Sequence, residues 1–137
     1  MPLVNTPWGR PDEATEYAEG ITFYSTPSHG GFHVDRKLVA KIPAPLRGLS
    51  GYPDNWYEED CSWAVVAYVF PEAFLGRGIG DDKEAIQEYA EGVLNRWYPA
   101  ELEQAKVIAD LKEIGGAAGR AARFFGEGDE SALTEGL

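Results

Sequence analysis

The N-terminal part of the chain has the composition of extended structure. Residues 21–26 are β-branched and aromatic, which is typical of a strand. A Pro- and Gly-containing break at 27–31 interrupts this segment, and residues 32–34 resume it. We therefore predict a β-hairpin in which Gly30 and Gly31 supply the positive φ angles of a tight turn.

The C-terminal half has the periodicity of helices instead. Over residues 86–97 the apolar positions recur at i, i+3, i+4, i+7, i+8 and i+11, which places them on one helical face. Asp81 and Asp82 lie where a helix N-terminus favours negative charge, and Pro99 ends the segment. A second helix is predicted over residues 100–114. The apolar face of the first helix consists of Ile86, Tyr89, Ala90, Val93, Leu94 and Trp97.

Four further segments have weaker patterns. Residues 12–18 are expected to form a short helical turn, and residues 36–41 a short helix after Asp35. Residues 45–55, with two prolines and two glycines, read as a loop. Residues 57–70 are compatible with a strand or a helix. We favour a buried helix, because about 14 residues without a turn signal is long for a strand.

Together these elements predict an α+β fold, with a small N-terminal antiparallel β-hairpin or sheet packed against a mainly helical C-terminal half. The chain has 137 residues and 44% apolar residues, which suits one hydrophobic core. We expect residues 1–125 to form a single compact domain. Residues 126–137 are polar and rich in glycine, so they are expected to be a flexible tail.

The charge distribution restricts the choice of partner. The net charge is −11, and residues 54–103 hold twelve acidic and three basic residues. Direct binding of nucleic acid through phosphates needs clustered Lys and Arg, so that mode is excluded. An acidic surface instead attracts partners with basic grooves, although the same charge also serves solubility alone.

Compartment and cofactor use are also constrained. Cys61 is the only cysteine, which excludes an intramolecular disulfide and a Cys-rich zinc site. The longest apolar run, residues 63–70, is far shorter than the roughly 20 residues that span a bilayer. No basic segment followed by an apolar run marks a signal peptide at the N-terminus. We expect a cytoplasmic protein with no membrane association, no metal and no cofactor.

Two segments carry side chains suited to catalysis. His29 and His33, the only histidines, lie four residues apart in SHGGFH beside hydroxyls and a carboxylate. Imidazole titrates near neutrality and accepts or donates protons readily. The acidic run 58–60 contains Glu59, a candidate partner for these imidazoles. A polar hairpin turn and a water-facing helix N-terminus are the structural alternatives for the two segments.

Three motifs resemble an uncharacterised family of proteobacterial domains that is associated with plasmids, prophages and their hosts. They are TPWG at 6–9, STPSHGGFH at 25–33, and YEED at 57–60 followed by Trp63-Ala64. The resemblance covers roughly the first 75 residues. It implies a mobile-element setting, in which small acidic proteins are often inhibitors of host defence, similar in kind to anti-CRISPR and antirestriction proteins.

We therefore hypothesise a protein-binding inhibitor that competes with nucleic acid for a basic groove on a host protein or ribonucleoprotein complex. Its contact residues would lie on and before the first long helix. The alternative is a small enzyme that uses His29 and His33 with a carboxylate such as Glu59. We favour the binding protein over the enzyme, and the sequence leaves the oligomeric state open. The predicted contact residues are Asp81, Asp82, Glu84, Glu88 and Glu91.

Overall fold

The computed structural model describes residues 5–50 and 55–110. The chain separates into two compact units, Met1–Leu102 and Glu103–Leu137, and almost everything described here belongs to the first. The predicted flexible tail at 126–137 lies outside the described residues. The single compact domain expected over residues 1–125 stays a prediction.

Four antiparallel strands form one sheet in the sequential order β1-β2-β3-β4. They are β1 (Glu13–Ala18), β2 (Ile21–Ser25), β3 (Gly30–Val34) and β4 (Trp56–Glu58). The hairpin predicted from β2 and β3 is confirmed. The helical turn expected at 12–18 is wrong, because this segment pairs with β2 along most of its length and forms an edge strand.

The turn between β2 and β3 is closed by a threonine, which corrects the prediction that glycines form it. The Thr26 hydroxyl donates to the His29 carbonyl at 2.6 Å and accepts from the His29 N–H at 3.0 Å. The Thr26 N–H also donates to the His29 carbonyl, at 2.8 Å. Gly30 and Gly31 lie within β3, and neither has a positive φ. The Thr26 hydroxyl, and not a glycine with a positive φ, therefore closes this turn.

The inner face of the sheet is covered by an aromatic cluster. Phe32 of β3 lies 4.9 Å from Tyr17 and 5.2 Å from Phe74, measured between ring centroids. Phe23 of β2 packs beside Phe32 at 5.0 Å. Phe74 belongs to a 3₁₀ turn, Pro71–Phe74, that follows the central helix. This cluster joins the sheet to the helical layer of the first unit.

The segment 57–70 divides into two elements, so the preference for one helix is only half right. Its first residues belong to β4, while α3 (Trp63–Val69) is a buried helix. The segment expected to be a loop contains α2 (Ala44–Arg47) and a 3₁₀ turn (Gly48–Ser50). The short helix expected after Asp35 is α1 (Arg36–Val39).

The long helix α4 (Lys83–Trp97) confirms the strongest periodic pattern of the chain. The Asp82 carboxylate accepts a hydrogen bond from the Ala85 N–H at 2.8 Å and so caps the helix. Only part of the predicted apolar face is buried, because Tyr89 and Trp97 remain 55% and 54% exposed. The residues of α4 that are fully buried are Ile86, Ala90 and Leu94.

Residues 99–110 are also helical, which confirms the described part of the second predicted helix. The prediction of an α+β fold, with an N-terminal antiparallel sheet followed by a mainly helical C-terminal half, is confirmed. Within residues 5–50 and 55–110, no helix is long and apolar enough to cross a membrane.

Candidate functional site

A tight turn at residues 6–9 holds an indole on the outer face of the sheet. The Thr6 N–H donates to the Gly9 carbonyl at 3.0 Å, and the Gly9 N–H donates back to the Thr6 carbonyl at 3.1 Å. The Thr6 hydroxyl donates to the Gly9 carbonyl at 2.7 Å and accepts from the Trp8 N–H at 3.1 Å. The indole of Trp8 then lies edge-on to Trp56, with ring centroids 5.8 Å apart.

The glycine pair of SHGGFH permits this close approach. A Cβ atom on Gly31 would overlap Cη2 of Trp8 and lie 2.7 Å from the Tyr57 carbonyl oxygen. A Cβ atom on Gly30 would lie 2.9 Å from Cζ of Phe23. The glycines are therefore needed because other groups pack against them.

The two histidines lie at opposite ends of β3. His29 is exposed in the turn before the strand, whereas His33 is half-buried, with its ring 4.7 Å from that of Trp56. Four residues of extended chain span about 13 Å. The two imidazoles therefore do not converge on one site.

The carboxylate of Glu58 is occupied by backbone groups. Oε1 accepts from the N–H groups of Cys61 and Ser62 at 2.7 and 2.8 Å, and Oε2 accepts from that of Asp60 at 2.8 Å. Burial alone would raise its pKa, but these donors outweigh burial and hold the pKa of Glu58 below its usual value. Glu58 thus connects β4 to the turn at residues 60–62 that leads into α3.

The other two members of the acidic run face solvent. Glu59 lies against β3, where its N–H donates to the Gly30 carbonyl at 2.9 Å, and its side chain is exposed. Asp60 is exposed as well. Burial and the neighbouring charges of Glu58 and Asp60 raise the pKa of the Cys61 thiol, so this thiol is not an activated nucleophile.

A cleft of about 340 Å³ opens beside His33 on the outer side of the sheet. Three separate segments contribute to it: the N-terminal segment, the β3–α1 junction and the start of β4. The His33–Asp35 pair that the sequence places on one face of an extended segment does share this cleft. The lining residues are Asn5, His33, Val34, Asp35, Arg36, Asn55 and Trp56.

The acidic residues of α4 share one side of the helix. At 100° per residue, Glu84, Glu88 and Glu91 fall within about 60° of one another, and their centre lies roughly 130° around the helix from the buried residues. Glu84 and Glu88 are exposed, and Glu91 is half-buried. We call Glu84, Glu88 and Glu91 the acidic face; Asp81, another predicted contact residue, is exposed and precedes the helix. Asp82, the remaining predicted contact residue, is the exposed cap of the helix.

The described residues contain no group of three or more His, Cys, Asp or Glu side chains placed to hold a metal ion. Sequence reasoning had missed Asn5, Arg36 and Asn55 as members of the cleft. Asn55 has a left-handed backbone with φ 60°. Asn tolerates that region better than most residues, and its place beside Asp54 marked only a turn.

The fold is thus α+β, and the first unit carries two candidate binding regions, the cleft and the acidic face. The chain belongs to the family described as Domain of unknown function (DUF7007), whose model matches residues 2–123. Comparison with curated proteins and with solved structures gives no significant match. The expectation of an uncharacterised domain family is confirmed, and the match extends well beyond the 75 residues of the recognised motifs.

Proposed function

We propose that this domain is a protein-binding inhibitor whose acidic face occupies a basic groove on a nucleic-acid-directed defence complex. The proposal rests chiefly on the placement of Glu84 and Glu88, which are exposed and lie on a different side of α4 from the residues that anchor it to the core. A helix anchored in this way presents its charges on a rigid support. The inhibitor would be of the anti-CRISPR or antirestriction type and would act in the cytoplasm.

The three glutamates of the acidic face form a row along one side of α4. Glu84 and Glu88 are one helical turn apart, with a rise of about 6 Å, and Glu91 extends the row to about 10 Å. No Lys or Arg of α4 lies within this row, since Lys83 and Arg96 occupy other sides of the helix. The net charge of −11 adds a long-range field that speeds association with a basic surface.

The choice of partner also draws on the resemblance to domains associated with plasmids and prophages. Such elements encounter host complexes that hold nucleic acid in basic grooves. An acidic domain would compete with the nucleic acid there without binding nucleic acid itself. The mobile-element origin of this chain is part of the proposal.

The alternative, an enzyme using His29, His33 and Glu59, receives less support from the geometry. The backbones of the two histidines are about 13 Å apart along the strand, so at most one imidazole could act with a given carboxylate. Glu58, the most buried acid of the run, already accepts three backbone hydrogen bonds. A general base needs an accessible lone pair, so Glu58 is poorly suited to that role, and the exposed Glu59 remains the candidate carboxylate of the alternative.

The decisive experiment compares two variants with equal charge changes. Glu84→Gln with Glu88→Gln removes two charges from the acidic face. Glu13→Gln with Glu19→Gln removes two exposed charges near the β1–β2 hairpin. Each tagged protein is used to capture complexes from host lysate at low and high salt, with and without added nucleic acid.

We expect the wild type and the hairpin variant to retain the same nucleic-acid-processing complex. The variant of the acidic face should retain much less of it. High salt and added nucleic acid should both release the complex from the wild type. Equal retention by the two variants, or release that is insensitive to salt and nucleic acid, would refute the proposal.

A further inference from the structure

The cleft beside His33 contains two opposite charges that are not paired with each other. Asp35 and Arg36 both line it, at the junction of β3 and α1. Asp35 occupies the N-cap position of α1, yet its carboxylate makes no capping hydrogen bond. In the part of the chain that the structure describes, neither side chain forms a hydrogen bond or an ion pair. A carboxylate and a guanidinium are therefore both available to a ligand.

Two carboxamides complement these charges. Asn5 comes from the N-terminal segment and Asn55 from the residue that precedes β4. The positive φ of Asn55 bends the chain at the edge of the cleft, and its carbonyl accepts from the Val34 N–H at 3.2 Å. Neither asparagine side chain makes a hydrogen bond within the described residues. Each can donate and accept hydrogen bonds to a polar ligand.

The remaining wall is aromatic and apolar. Trp56 is 6% exposed and Val34 is fully buried, so the contacts these residues make below the cleft hold them in place. The His33 ring lies 4.7 Å from the Trp56 ring. Binding sites for small molecules commonly combine such rigid apolar surface with a few convergent polar groups. The volume of about 340 Å³ is near the lower end for such sites and suits a ligand of amino-acid size.

We propose that this cleft binds a small zwitterion of the α-amino-acid class. The ligand's ammonium group pairs with the Asp35 carboxylate, and its carboxylate pairs with the Arg36 guanidinium. The asparagine carboxamides hydrogen-bond the ligand's polar atoms, and its side chain rests on the indole of Trp56. This site is separate from the acidic face, so either proposal can fail without the other.

The test uses the full chain labelled with ¹⁵N and titrated with amino acids while NMR spectra are recorded. Each amino acid is compared with its N-acetyl derivative, which lacks the ammonium charge, and with its amide, which lacks the carboxylate. The signals to follow are the backbone amides of His33, Asp35 and Asn55 and the indole N–H of Trp56. We expect saturable shifts with at least one zwitterion at roughly millimolar concentration.

Removing either ligand charge should weaken binding by about tenfold or more, the usual effect of losing a charge-assisted hydrogen bond. Asp35→Asn should abolish the discrimination against the N-acetyl derivative. Arg36→Gln should abolish the discrimination against the amide. Asp60→Asn and Lys83→Gln, which change exposed charges elsewhere, should leave both discriminations intact.

Circular dichroism confirms that each variant is folded, and an N-cap Asn is at least as favourable as Asp. Saturable binding with both discriminations, each lost in its own variant, would establish the site. The proposal is overturned if no zwitterion in the panel shifts these four signals saturably. Binding of the capped derivatives as tightly as the zwitterion would overturn it as well.

Discussion

Replacing Glu58 should destabilise the protein more than replacing any other residue of the acidic run. Its carboxylate accepts three backbone N–H groups at 2.7–2.8 Å just before α3. The helix has only seven residues, which is too short to persist without tertiary support and satisfied ends. Loss of these bonds leaves three N–H donors without their carboxylate acceptor.

The size of the effect follows from hydrogen bonds to charged groups. One such bond contributes about 1.5–3 kcal/mol, and losing a helix cap costs about 0.5–2 kcal/mol. Because Glu58 is half-buried and one of its three donors belongs to the exposed residue Asp60, we expect Glu58→Ala to lower the free energy of unfolding by about 2 kcal/mol. This corresponds to a fall of roughly 8 °C in Tm. Glu58→Gln keeps one acceptor oxygen and should cost about half as much.

The contribution of Glu58 to the stability of the protein should depend on pH in one direction. The pKa of folded Glu58 lies below its value in the unfolded chain. Its contribution to stability is therefore fully present above the unfolded pKa of about 4.3 and is lost as pH falls through the folded pKa. The difference between wild type and Glu58→Gln should be largest at neutral pH and should shrink below about pH 4.

Urea unfolding followed by tryptophan fluorescence, repeated from pH 3 to pH 7, measures these differences. Glu59→Ala is the matched control, since Glu59 is the exposed neighbour, and it should change the free energy of unfolding by less than about 0.5 kcal/mol. The reasoning is refuted if Glu58→Ala is no less stable than Glu59→Ala. It is also refuted if the Glu58→Gln difference does not change with pH.

Four further substitutions test close packing, helix propensity, a buried hydroxyl and a helix cap, each by the same urea unfolding. Gly31→Ala should destabilise by about 3 kcal/mol, because the new methyl group meets Trp8 and a backbone carbonyl that cannot move aside. Gly92 lies in α4, and a methyl group there would meet no neighbouring atom, so Gly92→Ala should raise the free energy of unfolding by about 0.8 kcal/mol. A loss of stability would show that the space beside Gly92 is not open. Tyr57→Phe should be neutral or stabilising, because the buried hydroxyl has no hydrogen-bond partner among the described residues and burial raises its pKa to about 12. Asp82→Ala should cost about 1 kcal/mol, and an unchanged midpoint would show that the cap is dispensable.

Features that depend on near neighbours in the chain could be predicted from the sequence. The helix α4 combines a capping aspartate with an apolar periodicity of 3.6, and both signals act within a few residues. The strands β2 and β3 likewise follow from β-branched and aromatic residues on either side of a break. The placement of the acidic face needed only the helix geometry of α4.

The remaining features depend on contacts between distant segments. Residues 12–18 became a strand because β2 offers them a partner, although their own pattern does not indicate one. The segment 57–70 is divided between a strand and a helix because β4 pairs with β3 and because Glu58 binds the backbone between the two elements. In the sequence, nothing distinguishes Glu58 from the two acidic residues that follow it. Local propensity is too weak a preference to oppose such contacts.

The sequence by itself therefore determined the fold class, the amphipathic helix and the acidic character of its surface. The tertiary structure alone decided why Gly31 is a glycine, since Trp8 packs on it from 23 residues earlier in the chain. It also decided that Asn5, Asp35 and Asn55 line one cleft while His29 and His33 lie apart. The physical reason is that periodicity reports which side of an element is buried, whereas a site is made by which elements the packing brings together.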